Sequence, residues 1–315
     1  MITRRKTLIS IFSFFVIICF FPCTQVDAWN DRTHMLIAYL AFMELTPEQQ
    51  EEIHVLLKNH PHYEMFLLKD RPDECPESLW VFMRAAIWPD FVNTDEYRAE
   101  YHRRPWHFVN IPYRPNASDR TMADSEPPFY TPNILTALDE NSDVLSEGYT
   151  STTRKAIAIS WLLHLFGDVH QPLHCVNLYS DRFPNGDQGG NRIAVRDGEK
   201  LTKLHSFWDN ILGEEKSLAS IRKTALEIIN ENVIRDNGDR CKWSTWAKQS
   251  HDLALKHVYL EGEHPLVEWQ PEFQSSSVAD HVPKITENYR KEGVAVAKRQ
   301  IFLASKRLAS HLATR

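Results

Sequence analysis

Residues 161–174 read Trp161-Leu162-Leu163-His164-Leu165-Phe166-Gly167-Asp168-Val169-His170-Gln171-Pro172-Leu173-His174. His164 and Asp168 stand four apart, the helical spacing that puts two side chains on one face. Pro172 is expected to end that helix and leave His174 just past the break. The spacing recurs in Leu204-His205-Ser206-Phe207-Trp208-Asp209, at His205 and Asp209. Imidazole and carboxylate together are the mix of borderline-soft and hard ligands that zinc accepts. One His–Asp pair on a helix is usually a core or surface feature. Two pairs and an offset His between residues 164 and 209 point to a metal centre.

The rest of the chain bounds where such a centre could work. The 315 residues begin with Arg4, Arg5 and Lys6, followed by an apolar run from Leu8 to Phe21 and by Asp27-Ala28 before Trp29. This is the layout of a secretory signal over residues 1–28, cleaved before Trp29. An uncleaved anchor is the alternative, although the run is short for a membrane span. A lipoprotein signal ending at Cys23 is disfavoured by Phe21-Pro22. No later stretch is apolar enough to span a bilayer, so the protein is expected to be secreted or extracytoplasmic (periplasmic in a bacterium) and not membrane-embedded. Residues 29–315 are expected to form one domain. Losing Arg4, Arg5, Lys6 and Asp27 moves the formal charge from −6 to −8. That charge excludes non-specific duplex binding through Lys and Arg. Nucleic acid stays open as a ligand if bound divalent cations carry the local positive charge.

Cys75, Cys175 and Cys241 remain after cleavage, so at most one bridge can form within the chain. Cys75 with Cys241 is the favoured pair, and Cys175 is read as a buried free thiol rather than a ligand. Asn116-Ala117-Ser118 is a glycosylation acceptor in a host that glycosylates, and otherwise a surface loop.

Helical periodicity is expected at 33–45, 76–88, 133–145, 153–169, 217–232, 242–259 and from 282 to the end. Thr46-Pro47-Glu48-Gln49 is a further helix start, with a Thr cap, Pro at the first position and Gln at the third. Residues 91–132 are rich in Pro and aromatics without periodicity and read as loop. Asn185 to Asn191 is a glycine-rich turn, and Ile193–Val195 with Leu201–Leu204 suggest a small β-hairpin beside it. The class is therefore mainly α: one helical domain with a small β-hairpin.

Further ligands should come from separate elements. Asp90 sits at a helix end in Trp88-Pro89-Asp90, His107 lies in Trp106-His107-Phe108, and His34 lies five residues after Trp29. Cleavage before Trp29 would free an α-amine with a pKa of about 7.7–8.0, which can ligate a metal together with its own carbonyl oxygen. His54, His60, His62, His251, His257 and His311 are expected at solvent.

These residues resemble the zinc-dependent single-strand nucleases of fungi and plants, the S1/P1 nuclease family, related in fold to zinc phospholipase C. The resemblance rests on Trp29 with His34, Trp88-Pro89-Asp90, His107-Phe108, His164 to His174 through Asp168, Gly189-Gly190-Asn191, His205 to Asp209, and Ala304 with Arg307-Leu308-Ala309. It implies three zinc ions. Asp90, His107, His164 and Asp168 would hold the first; His174, His205 and Asp209 the second; Trp29, His34 and the other oxygen of Asp168 the third. The position of His170 is not a ligand in that family. The implied activity is hydrolysis of phosphodiester bonds in single-stranded RNA and DNA to 5′-phosphate products, with removal of 3′-phosphates from 3′-nucleotides. Asp90 would orient the attacking water or take its proton. Asn191 would hydrogen-bond a phosphate oxygen or that water, and otherwise is a turn residue. Phe108 would stack on the base 3′-side of the cut, and otherwise is a core residue. Two departures stand out. Asn110 replaces the Asp often found there, which puts base preference in question, and Asn93 replaces the Lys of some fungal members. A zinc phospholipase C is the alternative, disfavoured by Asp209, where that group usually has Glu, and by Phe108. A zinc-binding module without turnover is the third possibility. A monomer without a stable protein partner is expected.

Overall fold

A computed structural model describes residues 29–115, 131–232, 242–270 and 281–314. The leader expected over residues 1–28, the expected acceptor at Asn116, and Cys241 of the expected Cys75–Cys241 pair lie outside the described residues. The chain opens with α1 (Asp31–Glu44), α2 (Pro47–Leu57), α3 (Glu77–Ala85), α4 (Trp88–Phe91) and α5 (Arg98–Tyr101). It continues through β1 (Pro112–Tyr113), α6 (Ile134–Ser146), α7 (Thr152–Asp168), β2 (Asn177–Leu178), β3 (Ala194–Asp197), β4 (Lys200–Lys203) and α8 (Leu204–Asp209). It ends with α9 (Leu218–Glu231), α10 (Trp243–Leu253) and α11 (Glu287–Leu312). The fold is mainly α, with two sheets of two strands each among the described residues.

Local chemistry sets most of the helix starts. The Thr46 hydroxyl accepts from the Gln49 amide while the Gln49 side chain returns to the Thr46 amide, a reciprocal cap that opens α2 behind Pro47. Asn30, Asn133, Ser151, Ser217 and Thr286 cap α1, α6, α7, α9 and α11 through their side-chain oxygens.

The central element is α7. It packs against α1, α2, α3, α4, α6 and α11. Every residue from Ala158 to Asp168 is buried. Burial of each large apolar side chain there contributes roughly 1.5–3 kcal/mol. The same burial carries His164 and Asp168 into the interior, where a charge is tolerated only if it is compensated. The long α11 lies along α1, α7 and α9 and closes the other side.

Several expectations are corrected. The helix predicted over 76–88 stops at Ala85, and Pro89 lies in the first turn of the separate α4 rather than ending a helix. Proline lacks the amide that a first turn does not need, so it starts a helix as readily as it stops one. The last helix begins at Glu287, not 282. Residues 282–285 instead run beside the hairpin, where the Arg196 amide donates to the Pro283 carbonyl and the Ile285 amide to the Arg196 carbonyl. The helix predicted over 242–259 changes at Ala254 into a π-turn, Ala254–Val258. The stretch from 91 to 115 holds α5, a 3₁₀ turn at Arg104–His107 and β1. His54, His60 and His62 are buried rather than solvated. The Trp88 indole N–H donates to His62 Nδ1 at 2.8 Å, and the His62 amide donates to His60 Nδ1 at 3.1 Å.

Candidate metal centre

Five segments bring the candidate ligands together, and each is fixed by its own backbone. His164 and Asp168 occupy the last turns of α7, so their four-residue spacing aligns them. After Asp168 the Gln171 side chain accepts from the Leu173 amide and caps a 3₁₀ turn, Pro172–Cys175, which contains His174. That turn is laced to the segment after His107. The His174 Nδ1–H donates to the His107 carbonyl at 2.6 Å, and the Val109 amide donates to the His174 carbonyl at 2.9 Å. The Asn177 amide then donates to the Ile111 carbonyl, and β1 and β2 continue the pairing in parallel. His107 and His174 are thereby held in register although 67 residues separate them in sequence.

The Gly-rich turn positions the remaining pair. The buried Asp187 carboxylate accepts from the Leu178, Gly189 and Gly190 amides and, at 2.6 Å, from the Tyr259 hydroxyl. Gly189 has φ +59°, and a Cβ there would lie 2.3 Å from the Leu173 carbonyl oxygen, so only glycine fits. The Gly189 carbonyl accepts from His205 Nδ1 at 2.6 Å. His205 and Asp209 sit on α8 with His205 Nε2 3.4 Å from Asp209 Oδ2. Gln171 Nε2 donates to the other oxygen of Asp209 at 2.8 Å.

At the centre, Asp168 has no exposed surface. Its Oδ2 lies 3.1 Å from both His107 Nδ1 and His164 Nε2, and its Oδ1 lies 3.4 Å from His34 Nε2. The two oxygens therefore face different imidazoles. Asp90 Oδ1 is 3.6 Å from His164 Nε2 and 3.8 Å from His107 Nδ1. His34 stacks on His164 with ring centroids 3.9 Å apart. Trp29 is buried against α7, its indole N–H donating to the Gly167 carbonyl at 3.1 Å, and the Asn30 amide reaches the Asp209 carbonyl at 3.4 Å. The backbone at residue 29 thus runs past the ends of both ligand-bearing helices.

Three groups of donor atoms result: His34, His164 and Asp168; Asp90, His107 and His164; and His174, His205 and Asp209. Within each group the donor atoms lie within 4.8 Å of one another. The donor chemistry fits a metal. His164, His174 and His205 each give Nδ1–H to a backbone carbonyl, which fixes the ring and leaves Nε2 facing inward as the nitrogen that can ligate. His34 Nδ1 and Nε2, His107 Nε2, His174 Nε2 and Asp168 Oδ1 are buried without a hydrogen bond. Native interiors rarely leave so many polar atoms unsatisfied in one place unless an ion takes them.

The titration behaviour tells the same story. Burial lowers His164, but Asp168 and Asp90 outweigh it and raise its pKa to about 9. Burial would raise Asp168, but His164 and His174 hold it well below the usual carboxylate range. Burial, reinforced by the positive field of His164, lowers His34 to about 4. Without an ion, His164 carries the positive charge that Asp168 and Asp90 call for, while burial keeps His34 and His174 neutral, the form that ligates.

The nearby residues divide clearly. Phe108 and Asn110 line a cleft of about 310 Å³ whose wall also carries Arg104, Gln188, His174 and His205. Phe108 is half-buried there, not a core residue. Asn191 is 6 % exposed and gives one hydrogen of its Nδ2 to the Gln188 carbonyl, leaving the second hydrogen and its Oδ1. His170 is neutral and structural. It donates from Nδ1 to the Phe166 carbonyl and accepts from Arg307 at 2.7 Å. Burial pushes the Cys175 thiol up, and the thiol faces the Val169 carbonyl at 3.5 Å, so it stays protonated beside the site. Gln171, Asp187 and Gly167 were not singled out by residue type. Their signal was position, inside the motif or the glycine-rich turn, without any visible partner.

The sequence model of the S1/P1 Nuclease family matches residues 29–315. Endonuclease 4 of Arabidopsis thaliana is 27 % identical over 248 residues, covering 73 % of this chain and 76 % of that protein. Endonuclease 2 of the same plant is 24 % identical over 268 residues, 79 % of each. Nuclease S1 of Aspergillus oryzae is 28 % identical over 152 residues, covering 47 % and 48 %.

Proposed function

Because this chain belongs to the S1/P1 nuclease family, and is on that ground a hydrolase of phosphodiester bonds, we propose that it is a secreted zinc enzyme that cuts single-stranded RNA and DNA to 5′-phosphate products and removes 3′-phosphates from nucleotides. The observation that carries the reading is the convergence of three histidine–carboxylate groups, among which His34 Nδ1 and Nε2, His107 Nε2, His174 Nε2 and Asp168 Oδ1 are buried without a hydrogen bond. Three zinc ions would take those groups, with Asp168 shared because its two oxygens face different imidazoles. Trp29 would join His34 through a terminal amine freed by cleavage. The family match starting at that residue supports such a cut. No helix among the described residues is long and apolar enough to cross a membrane.

Bound zinc supplies a water acidified toward neutral pH and a positive field for the phosphate. The chain's residues do the rest. Asp90, 19 % exposed where Asp168 is fully buried, is the carboxylate that can reach that water to orient it or accept its proton. Asn191 offers its second amide hydrogen to a phosphate oxygen. Phe108 offers a stacking face worth roughly 1–3 kcal/mol per base, open to a base only where it is not already stacked in a duplex.

The test is release of acid-soluble nucleotides from single-stranded RNA and DNA by zinc-loaded protein beginning at Trp29. Release should be abolished by a zinc chelator and be much slower on duplex. No release, or diacylglycerol release from phospholipid vesicles instead, would sink the reading.

A further inference from the structure

The cleft beside the metal centre is graded by depth. His174 and His205 are buried at its floor, Phe108 is half-buried on its wall, and Arg104 is exposed at its mouth. Among the described residues lining the cleft, Arg104 is the one with a permanent charge. It opens the same 3₁₀ turn that ends in His107, so its backbone is tied to the ligand set and leads directly into Phe108. A volume of about 310 Å³ is enough for about one nucleotide. Because the 3′ oxygen is the leaving group, the base on Phe108 would be the one on the 5′ side of the cut rather than the 3′ side. With its 3′-phosphate on the floor, that nucleotide would have to send its 5′ end out through the mouth. There it meets a guanidinium, whose planar fork suits a phosphate better than any other side chain does. Arg104 belongs to a small local group of cations with Arg98 and Arg103, all three acting on His102, in a chain whose net charge is negative.

We propose that Arg104 binds the 5′-phosphate of the nucleotide whose base stacks on Phe108, making the cleft a subsite for a strand rather than for a lone nucleoside 3′-phosphate. This rests on the function proposed above and adds a residue and a substrate group to it. The contact lies at the mouth, away from the bond that breaks, so Arg104 should act on binding and not on turnover.

The experiment compares a nucleoside 3′-phosphate with the matching 3′,5′-bisphosphate, for wild type, Arg104→Ala and Arg104→Lys. Wild type should show KM about threefold to tenfold lower for the bisphosphate, the range of a partly exposed charged pair. Arg104→Ala should make the two KM values equal and leave both kcat values and the KM of the 3′-phosphate unchanged. Arg104→Lys should keep part of the difference. As a second readout, the slope of log affinity against log salt for a single-stranded oligonucleotide should become shallower by about 0.7 in Arg104→Ala. The proposal is overturned if wild type does not favour the bisphosphate, if Arg104→Ala keeps that preference, or if it raises KM equally for both. A wild type that hydrolyses neither compound overturns the parent function as well, which separates the two failures.

Discussion

Asp168 is a fully buried carboxylate whose ion-pair partners are imidazoles. Such a charge is costly inside a protein unless something positive replaces the lost water. The residues around it are arranged accordingly: Gln171 holds one oxygen of Asp209, and three histidines are locked by backbone carbonyls with Nε2 turned inward. Gln171→Leu should therefore weaken zinc at the His174–His205–Asp209 group about 10- to 100-fold, read by competition with a chelator. An unchanged affinity would show that Asp209 needs no orienting partner. A second residue-scale prediction concerns His60. Burial, with His62 adding to it, lowers its pKa to about 3 from an ordinary 6.5. The unfolded chain thus takes up a proton that the folded one refuses. The stability it contributes is complete above pH 6.5 and is lost as pH falls toward 3, at up to about 1.4 kcal/mol per unit. His60→Asn, which can keep the acceptor for the His62 amide, should flatten the decline of Tm between pH 6.5 and 4. An undiminished slope would assign the acid lability to other groups.

At the scale of elements, α7 and α1 meet at Gly167. A Cβ there would lie 2.8 Å from His34 Nδ1 and 3.2 Å from Ile37 Cδ1. The His34 ring cannot retreat, because it is stacked on His164 with no exposed surface. Gly167→Ala would gain about 1 kcal/mol in helix propensity but incur an overpacking cost of about 1–3 kcal/mol. It should lower stability slightly and reduce zinc content by one ion per chain, whereas full zinc content would mean that His34 is not a ligand. What was legible in the sequence follows from the same geometry. His164 with Asp168 and His205 with Asp209 could be paired because helical spacing is local. The pairing of β1 with β2 could not be read, since two residues per strand have no periodicity. The burial of His60 and His62 was missed because it depends on Trp88, a distant residue. Pro89 was misread because a proline looks the same whether it ends a helix or opens one. Asp187 is a buried carboxylate whose four donors come from three parts of the chain, and nothing at its own position announces them.

For the whole molecule, the interior is built so that α7 delivers His164 and Asp168 to the place where the 107, 174 and 205 segments and the backbone of residue 29 converge. The account makes one demand that no helix or turn can meet alone. Residue 29 must be a terminus, because an amine joined to a preceding residue has no lone pair to give a metal. The most direct test is zinc counted per chain by mass spectrometry, for protein starting at Trp29 and for protein with one alanine left before it. The account predicts three ions in the first and two in the second. Three ions in both, or fewer than two in the protein starting at Trp29, would contradict it.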